Sequence, residues 1–290
     1  MKLVGLMPVR NEDWVLGLSL RAALMWCDSV IVLRHACTDG TTQILHDVVD
    51  EVGHDRLIWF DEQDAEWREM THRQLLLAAA RASGATHIAI VDADEVLTGD
   101  LLGNPRWTGW EVPAGHILHA PGYNLRGSIH RYHSSGIWGN RWFSTAFRDD
   151  PRLSWNGDRF HLREPQGMPL TPYKPIAQHK GGVMHLWGAS ERRLRAKSAL
   201  YKLTERLRWP DKPVQEIDTM YSWAIHGRPG CNDTPALWQF RDTPNEWWEP
   251  YAHLMKYLNV DAEPWQEAEC RRLMKEHDGI GKGLDLFGVV

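Results

Sequence analysis

Asp92-Ala93-Asp94 places two carboxylates one residue apart, directly after the apolar run His87–Val91. In an extended turn, that spacing lets one or both side chains address the same hard cation. Mg2+ or Mn2+ takes oxygen ligands and keeps positions for water and substrate phosphates. Such a cation neutralises a diphosphate leaving group by Lewis-acid and electrostatic stabilisation. Acidic tripeptides are common on protein surfaces, so the context decides. Three more polar clusters follow apolar runs: Arg10-Asn11-Glu12 after Leu3–Met7, Arg34 to Asp39 after Ser29–Leu33, and Asp61 to Asp64 after Leu57–Phe60.

The elements that must position these clusters follow from the period of the apolar residues. The four runs read as short strands. Between them, Glu12–Trp26, Asp39–Val49 and Glu66–Ala82 carry helical spacing, with Asp39 near an N-cap and Gly84 near a C-terminal stop. Strands alternating with helices predict an α/β fold with a mostly parallel central sheet flanked by helices. Ligands in such sheets bind beyond the carboxyl ends of the strands, where all four clusters fall.

The pattern from Trp107 to Phe147 is strand-like and irregular, rich in Gly, His and aromatic residues. Glu191–Trp209 reads as an amphipathic basic helix ended by Pro210, and its charge suits a solvated face or a phosphate-bearing ligand. The Pro-rich segment Asp211–Pro244 reads as loop, and Tyr251–Leu258 and Trp265–His277 as two final helices. His116-x-x-His119 and His130-x-x-His133 mimic a zinc site, but residues i and i+3 of a strand face opposite ways, so they read as loop and acceptor-cleft histidines. The organisation predicted is a donor half over 1–106, an acceptor-side half over 107–210, and a helical, aromatic extension over 211–290.

Formal net charge of the 290 residues is −5, which gives no overall basic field for nucleic acid or membrane. Four widely spaced cysteines (Cys27, Cys37, Cys231, Cys270) form no CxxC pair and suit free thiols. The start MKLVGLMPVRNE turns polar too soon for a secretory signal, and no apolar run reaches bilayer length, so a cytoplasmic protein without a membrane span is expected. The 16 tryptophans read chiefly as packing residues.

With those residues in view, the first hundred resemble the nucleotide-binding half of family 2 glycosyltransferases, of GT-A fold. Pro8-Val9-Arg10-Asn11-Glu12 resembles the family's P-x-x-N-E segment, and Thr38-Asp39-Gly40-Thr41 the end of its D-x-x-S-T-D-G-T loop. Arg73 resembles the arginine ahead of the DxD strand, and Val91-Asp92-Ala93-Asp94-Glu95 the DxD itself. The resemblance implies that Pro8, Arg10 and Glu12 line a nucleotide pocket with Asp39 and Arg73. It also implies that Asp92 and Asp94 bind ribose, diphosphate and a Mn2+ or Mg2+ ion. Gly182–Gly188 before the basic helix resembles the family's late histidine, which implies His185 as a further metal ligand; the other reading is a hydrogen-bonded core residue.

The chain departs from the family in two places. Arg34 stands where a carboxylate reads the nucleobase, and it suits a carbonyl or a phosphate instead. Leu162 stands where the catalytic carboxylate is expected, which leaves Asp158 and Glu164 as the nearest candidates for a base and leaves a retaining reaction open.

The function expected is metal-dependent transfer of a sugar from a nucleotide-sugar donor to a hydroxyl of a glycan, a protein or a modified DNA base. The aromatic C-terminal helices are similar in style to those of glycosyltransferases encoded by tailed phages. The alternatives are a catalytically degenerate glycan- or nucleic-acid-binding protein of the same fold, and a nucleotidyltransferase. The latter usually needs a Gly-rich phosphate loop, and PVRNEDW contains no glycine.

Overall fold

Strands β1 (Leu3–Val9) and β2 (Ser29–His35) are buried along nearly their whole length, as continuous apolar runs require when a strand is covered on both faces. Their residues alternate between two cores. Leu3, Met7, Val9, Val30 and Val32 pack with Leu16 and Leu20 of α1 (Asp13–Ala23) and with Leu45 and Val48 of α2 (Thr41–Val52). Val4, Leu6, Ile31 and Leu33 pack on the other face with Met70, Leu76, Leu77 and Ala80 of α3 (Glu69–Ala82). Period-two strands between helices of period 3.6 build that three-layer arrangement, each buried aliphatic side chain contributing about 1.5–3 kcal/mol.

The computed structural model describes residues 1–103, 112–114, 116–139, 141–158, 161–167, 171–172, 176–231 and 233–290. Trp107, where the sequence pattern changes, lies outside the described residues. The further strands are β3 (Leu57–Glu62), β4 (His87–Ile90), β5 (Glu95–Leu97), β6 (His116–Asn124), β7 (Arg131–His133), β8 (Arg141–Arg148), β9 (Thr171–Pro172), β10 (Val183–His185) and β11 (Phe240–Asp242). Among the described residues, one sheet runs β3-β2-β1-β4-β8-β6-β10-β5, with β9 against β6. Strands β3, β2, β1 and β4 are parallel, and β8 joins β4 antiparallel. The fold is α/β, a large, mostly parallel curled sheet flanked by helices, consistent with the GT-A type.

The chain divides into two compact units. The first comprises Met1–Gly122, Trp142–Met184 and Pro244–Asn259. In it, Glu249–Tyr257 is a run of 3-10 turns rather than the helix expected over Tyr251–Leu258. It lies along α1: the Arg21 guanidinium sits 3.9 Å from the centre of the Tyr257 ring, and the Asn259 N–H donates to the Trp14 carbonyl.

The second unit comprises Tyr123–Arg141, His185–Thr243 and Val260–Val290. It contains α4 (Glu191–Arg208), α5 (Val214–His226) and α6 (Trp265–Glu276). Helix α5 corrects the loop expected over Asp211–Pro244. The prolines of that segment lie outside the helix: Pro213 precedes it, and the others follow Gly227. Gly227 ends α5 at φ +81°, where a Cβ would come within 1.9 Å of the Asp233 carbonyl oxygen.

Two cations of the basic helix turn inward instead of facing water. Arg193 donates to the Ala262 carbonyl, and fully buried Lys202 donates to Asp218, Ser222 and the Asp285 carbonyl. Lys202→Met is expected to lower stability by about 1–3 kcal/mol by leaving these acceptors without their donor. A urea midpoint equal to that of the wild type would exclude this anchoring role. Among the described residues, no helix is long and apolar enough to cross a membrane.

Candidate active site at the strand ends

Register decides what meets at the site. Val9, Arg34 and Asp61 are level across β1, β2 and β3. Strand β4 is shorter; Ile90 pairs with Leu6, so Asp92 leaves the sheet two residues beyond that pair. Along β8, His87 pairs with Arg148 and Ala89 with Ala146; the same register puts Ser144 level with Val91. The antiparallel strand thus delivers its early residues to the end of β4.

A chain of charged groups runs across this end. Glu69 accepts from the His161 backbone N–H at 2.8 Å and from Arg73 Nε at 3.1 Å, and Arg73 reaches Asp92 Oδ1 at 3.2 Å. Arg163 then binds Asp92 Oδ2 and Glu95 Oε1, each at 2.7 Å, through one nitrogen. Its other nitrogens hold Glu95 Oε2 at 2.6 Å, the Ile90 carbonyl at 2.9 Å and the Ser144 carbonyl at 2.7 Å. Burial opposes the Arg163 charge, but Glu95 and Asp92, with Asp94 adding to them, raise its pKa above that of an ordinary arginine. Asp94 and Glu95 are buried, whereas the Asp92 side chain is about a third exposed (31%).

The polar loop after β1 is pinned to the loop after β2. Asn11, in the left-handed region at φ +53°, accepts from the Thr38 N–H at 2.7 Å. Asp39 accepts from the Asp13 and Thr41 N–H groups, and Asp13 in turn from the Gly40 N–H. Ala36 (φ +41°) and His161 (φ +60°) also have positive φ. Non-glycine residues held there cluster at functional sites.

Each residue named from the sequence has a definite place. Pro8 is in β1, and Arg10 donates to the Ala65 carbonyl at 2.8 Å. Glu12 accepts from the Trp14 indole. Arg73 and Asp92 are brought together. Arg34 forms a fork on Asp61, both contacts at 2.6 Å, and donates to Thr42 at 2.7 Å. That hydrogen bond holds the Asp61 carboxyl below its ordinary range. The guanidinium at the end of β2 is thus paired with a carboxylate at the end of β3.

Next to Arg34 in β2, His35 packs against His72, ring centres 4.5 Å apart and planes tilted by 44°. Burial, then the charge of His35, pushes His72 down to about 4. Both rings are fully buried, and neutral packing suits them.

His185 lies in the second unit, its Nδ1 3.2 Å from Asn124 Oδ1 and its ring stacked on Trp187. Asp158 is on an exposed loop. Glu164 is half-exposed beside His119 of β6 and Ser144 of β8; the hydrogen bond from His119, opposed by burial and reinforced by Ser144, lowers its pKa.

The carboxylate oxygens of Asp92 and Asp94 are the donor type a hard divalent cation takes. Asp92 shares its oxygens with two guanidinium groups, so a cation would share that carboxylate with Arg73 and Arg163. Among the described residues, no group of three or more His, Cys, Asp or Glu side chains is arranged to hold a metal ion.

Sequence reasoning missed Arg163, Glu69 and Ser144, and it named His119 only as a loop and acceptor-cleft histidine, whereas it stands on β6. Glu69 and Arg73 carried a usable signal, the i,i+4 pair of opposite charge. Arg163 sits in an irregular loop and offered none.

No protein-family model and no curated protein matches the chain. Remote likenesses to solved structures exist. TarS residues 1–349 from S. aureus is 12% identical, covering 78% of this chain and 72% of that one at a TM-score of 0.40. The mannosyltransferase PcManGT from Pyrobaculum calidifontis, in complex with GDP-Man and Mn2+, is 13% identical over 95% of this chain and 74% of its own, TM-score 0.38. GalNAc-T7 with UDP, GalNAc and Mn2+ is 11% identical over 97% and 58%, TM-score 0.35.

Proposed function

We propose that the protein is a metal-dependent glycosyltransferase that moves a sugar from a nucleotide-sugar donor to an acceptor hydroxyl. The observation that supports this reading most is the gathering of Asp92, Asp94 and Glu95 with Arg73 and Arg163 just beyond the carboxyl end of β4. A parallel sheet presents its ligands at that edge, and a diphosphate needs cations there, while a divalent ion needs carboxylates.

In this reading, Asp92 and Asp94 hold Mn2+ or Mg2+. When bound, the ion supplies Lewis-acid stabilisation of the departing diphosphate. Arg73 orients Asp92 and sets its direction. Arg163 keeps the carboxylates compensated, so that they stay ionised together at the end of a buried strand. Arg10, Glu12 and Asp39 form the wall of the nucleotide pocket. The Arg34–Asp61 pair offers a fixed carboxylate to the N–H groups of a nucleobase. Glu164, rather than exposed Asp158, takes the proton of the acceptor hydroxyl, because two donors already hold it in one orientation.

Calorimetric titration with Mn2+ and a panel of nucleoside diphosphates tests the reading. Nucleotide affinity is expected to rise at least about tenfold when the metal is present, a coupling of about 1.4 kcal/mol. Affinity that is indifferent to Mn2+ would favour a binding protein that only keeps the fold.

A further inference from the structure

We propose that His119 and Ser144 are positioning residues that hold Glu164 as the proton acceptor of the transfer, a proposal that rests on the sugar-nucleotide reading of the strand ends. His119 is on β6 and Ser144 on the adjacent strand β8. His119 Nε2 lies 3.3 Å from Glu164 Oε1 and 3.2 Å from Ser144 Oγ. The Ser144 hydroxyl donates to the same Oε1. An ionised carboxylate only accepts, so both partners must donate. That requires a proton on His119 Nε2. Nδ1 of the same ring is buried and has no partner among the described residues. A bare lone pair is cheaper there than an unpaired N–H, so the neutral Nε2–H tautomer fits.

One oxygen of Glu164 is therefore doubly held, and no described residue bonds the other. The side chain is 41% exposed, so Oε2 is accessible to a substrate hydroxyl. Ser144 anchors twice: its hydroxyl holds Glu164, and its carbonyl accepts from Arg163, the neighbouring residue, at 2.7 Å. Arg163 in turn grips Asp92. The acceptor carboxylate is thereby tied to the strand end that carries the donor chemistry.

The acceptor oxygen forms its bond to the anomeric carbon while its proton passes to Glu164 Oε2. The bond from that carbon to the diphosphate oxygen breaks, and its electron pair leaves with the nucleoside diphosphate. The charged and titratable groups facing Glu164 are His119 from β6 and Arg163 from its own loop; β8 contributes neutral Ser144. The hydrogen bond from His119, opposed by burial and reinforced by Ser144, keeps the carboxyl below its ordinary range. A base whose pKa is depressed works above its folded pKa and loses its function as pH falls through that value.

The test has two readouts. The first needs no substrate: the Glu164 carboxyl carbon is titrated by NMR in ligand-free protein. Its midpoint is expected to rise in His119→Phe and in Ser144→Ala, and to return in His119→Gln, which keeps an N–H donor. An unmoved midpoint in both of the first two variants overturns the positioning role.

The second readout is kcat/KM against pH, with whichever of UDP-, GDP-, CDP- and dTDP-sugars is turned over. Glu164→Gln is expected to lose about 100-fold or more. His119→Phe should lose about tenfold in kcat, with donor KM unchanged and the acidic limb moved to higher pH. His119→Gln should recover most of that loss. Full activity in Glu164→Gln overturns the proposal even where the carboxyl titration moves. Failure of every sugar nucleotide to turn over overturns the transferase reading instead, and the carboxyl titration still decides whether His119 and Ser144 hold Glu164.

Discussion

Replacing Arg163 by methionine is expected to lower the unfolding free energy by about 3–5 kcal/mol, the cost typical of removing one partner of a buried ion pair. Glu95 decides the size of the loss. Its side chain is only 4% exposed, and both of its oxygens are held by Arg163. Asp92, 31% exposed, can recover part of its hydration and still has Arg73. The Ile90 and Ser144 carbonyls lose a donor as well. Lysine should restore little, because a point charge cannot grip two carboxylates and two carbonyls at once as the planar fork does. The double variant Arg163→Met/Glu95→Gln should recover a substantial part of the loss, since the uncompensated charge goes with the carboxylate. Urea denaturation of the three variants checks this, and a wild-type midpoint in Arg163→Met would mean that the cluster is hydrated and Arg163 a bystander.

That cluster also marks where the sequence stopped being readable. β1 to β4 and α1 to α3 were legible because parallel strands buried on both faces are continuous apolar runs, and each run ends in polar residues at the same edge. Asp92 followed from its position at the end of such a run, and Arg73 from the resemblance alone. Ser144 did not, because it reaches the site through the non-local antiparallel pairing of β8 with β4, and the place of His119 beside it depends on β6 lying next to β8. Nothing within ten residues of Ser144 announces that it will stand level with Val91. Arg163 is harder still: its role depends on a loop conformation with His161 at positive φ, tied down by Glu69 from α3. The departure of Arg34 from the resembled pattern was visible, but its pairing with Asp61 required the β2–β3 register. Helix α5 was hidden for a different reason: the flanking prolines dominated the composition of a segment whose middle, Val214–His226, contains none.

Asp94→Asn is expected to cost about 10³-fold in kcat/KM for metal-dependent transfer, at the upper end of what one electrostatic group contributes to a transition state. The change removes a charge and keeps the shape, so the core around a residue 6% exposed is not emptied. The contrast with Asp92 sharpens the test. Asp92 joins Arg73 to Arg163, and Asp92→Asn should therefore weaken stability and activity together. Asparagine keeps the volume and hydrogen-bonding capacity of the side chain, so Asp94→Asn should leave the unfolding free energy within about 1 kcal/mol of the wild type. Two measurements separate the outcomes. Donor hydrolysis with Mn2+ reads the chemistry, and calorimetry of a nucleoside diphosphate with and without Mn2+ reads the coupling. In Asp94→Asn the nucleotide should still bind through the pocket wall, but with an affinity that no longer responds to the metal. Full hydrolysis with intact metal coupling would remove Asp94 from the site and, with it, the assignment of the Asp92–Asp94 pair to a cation.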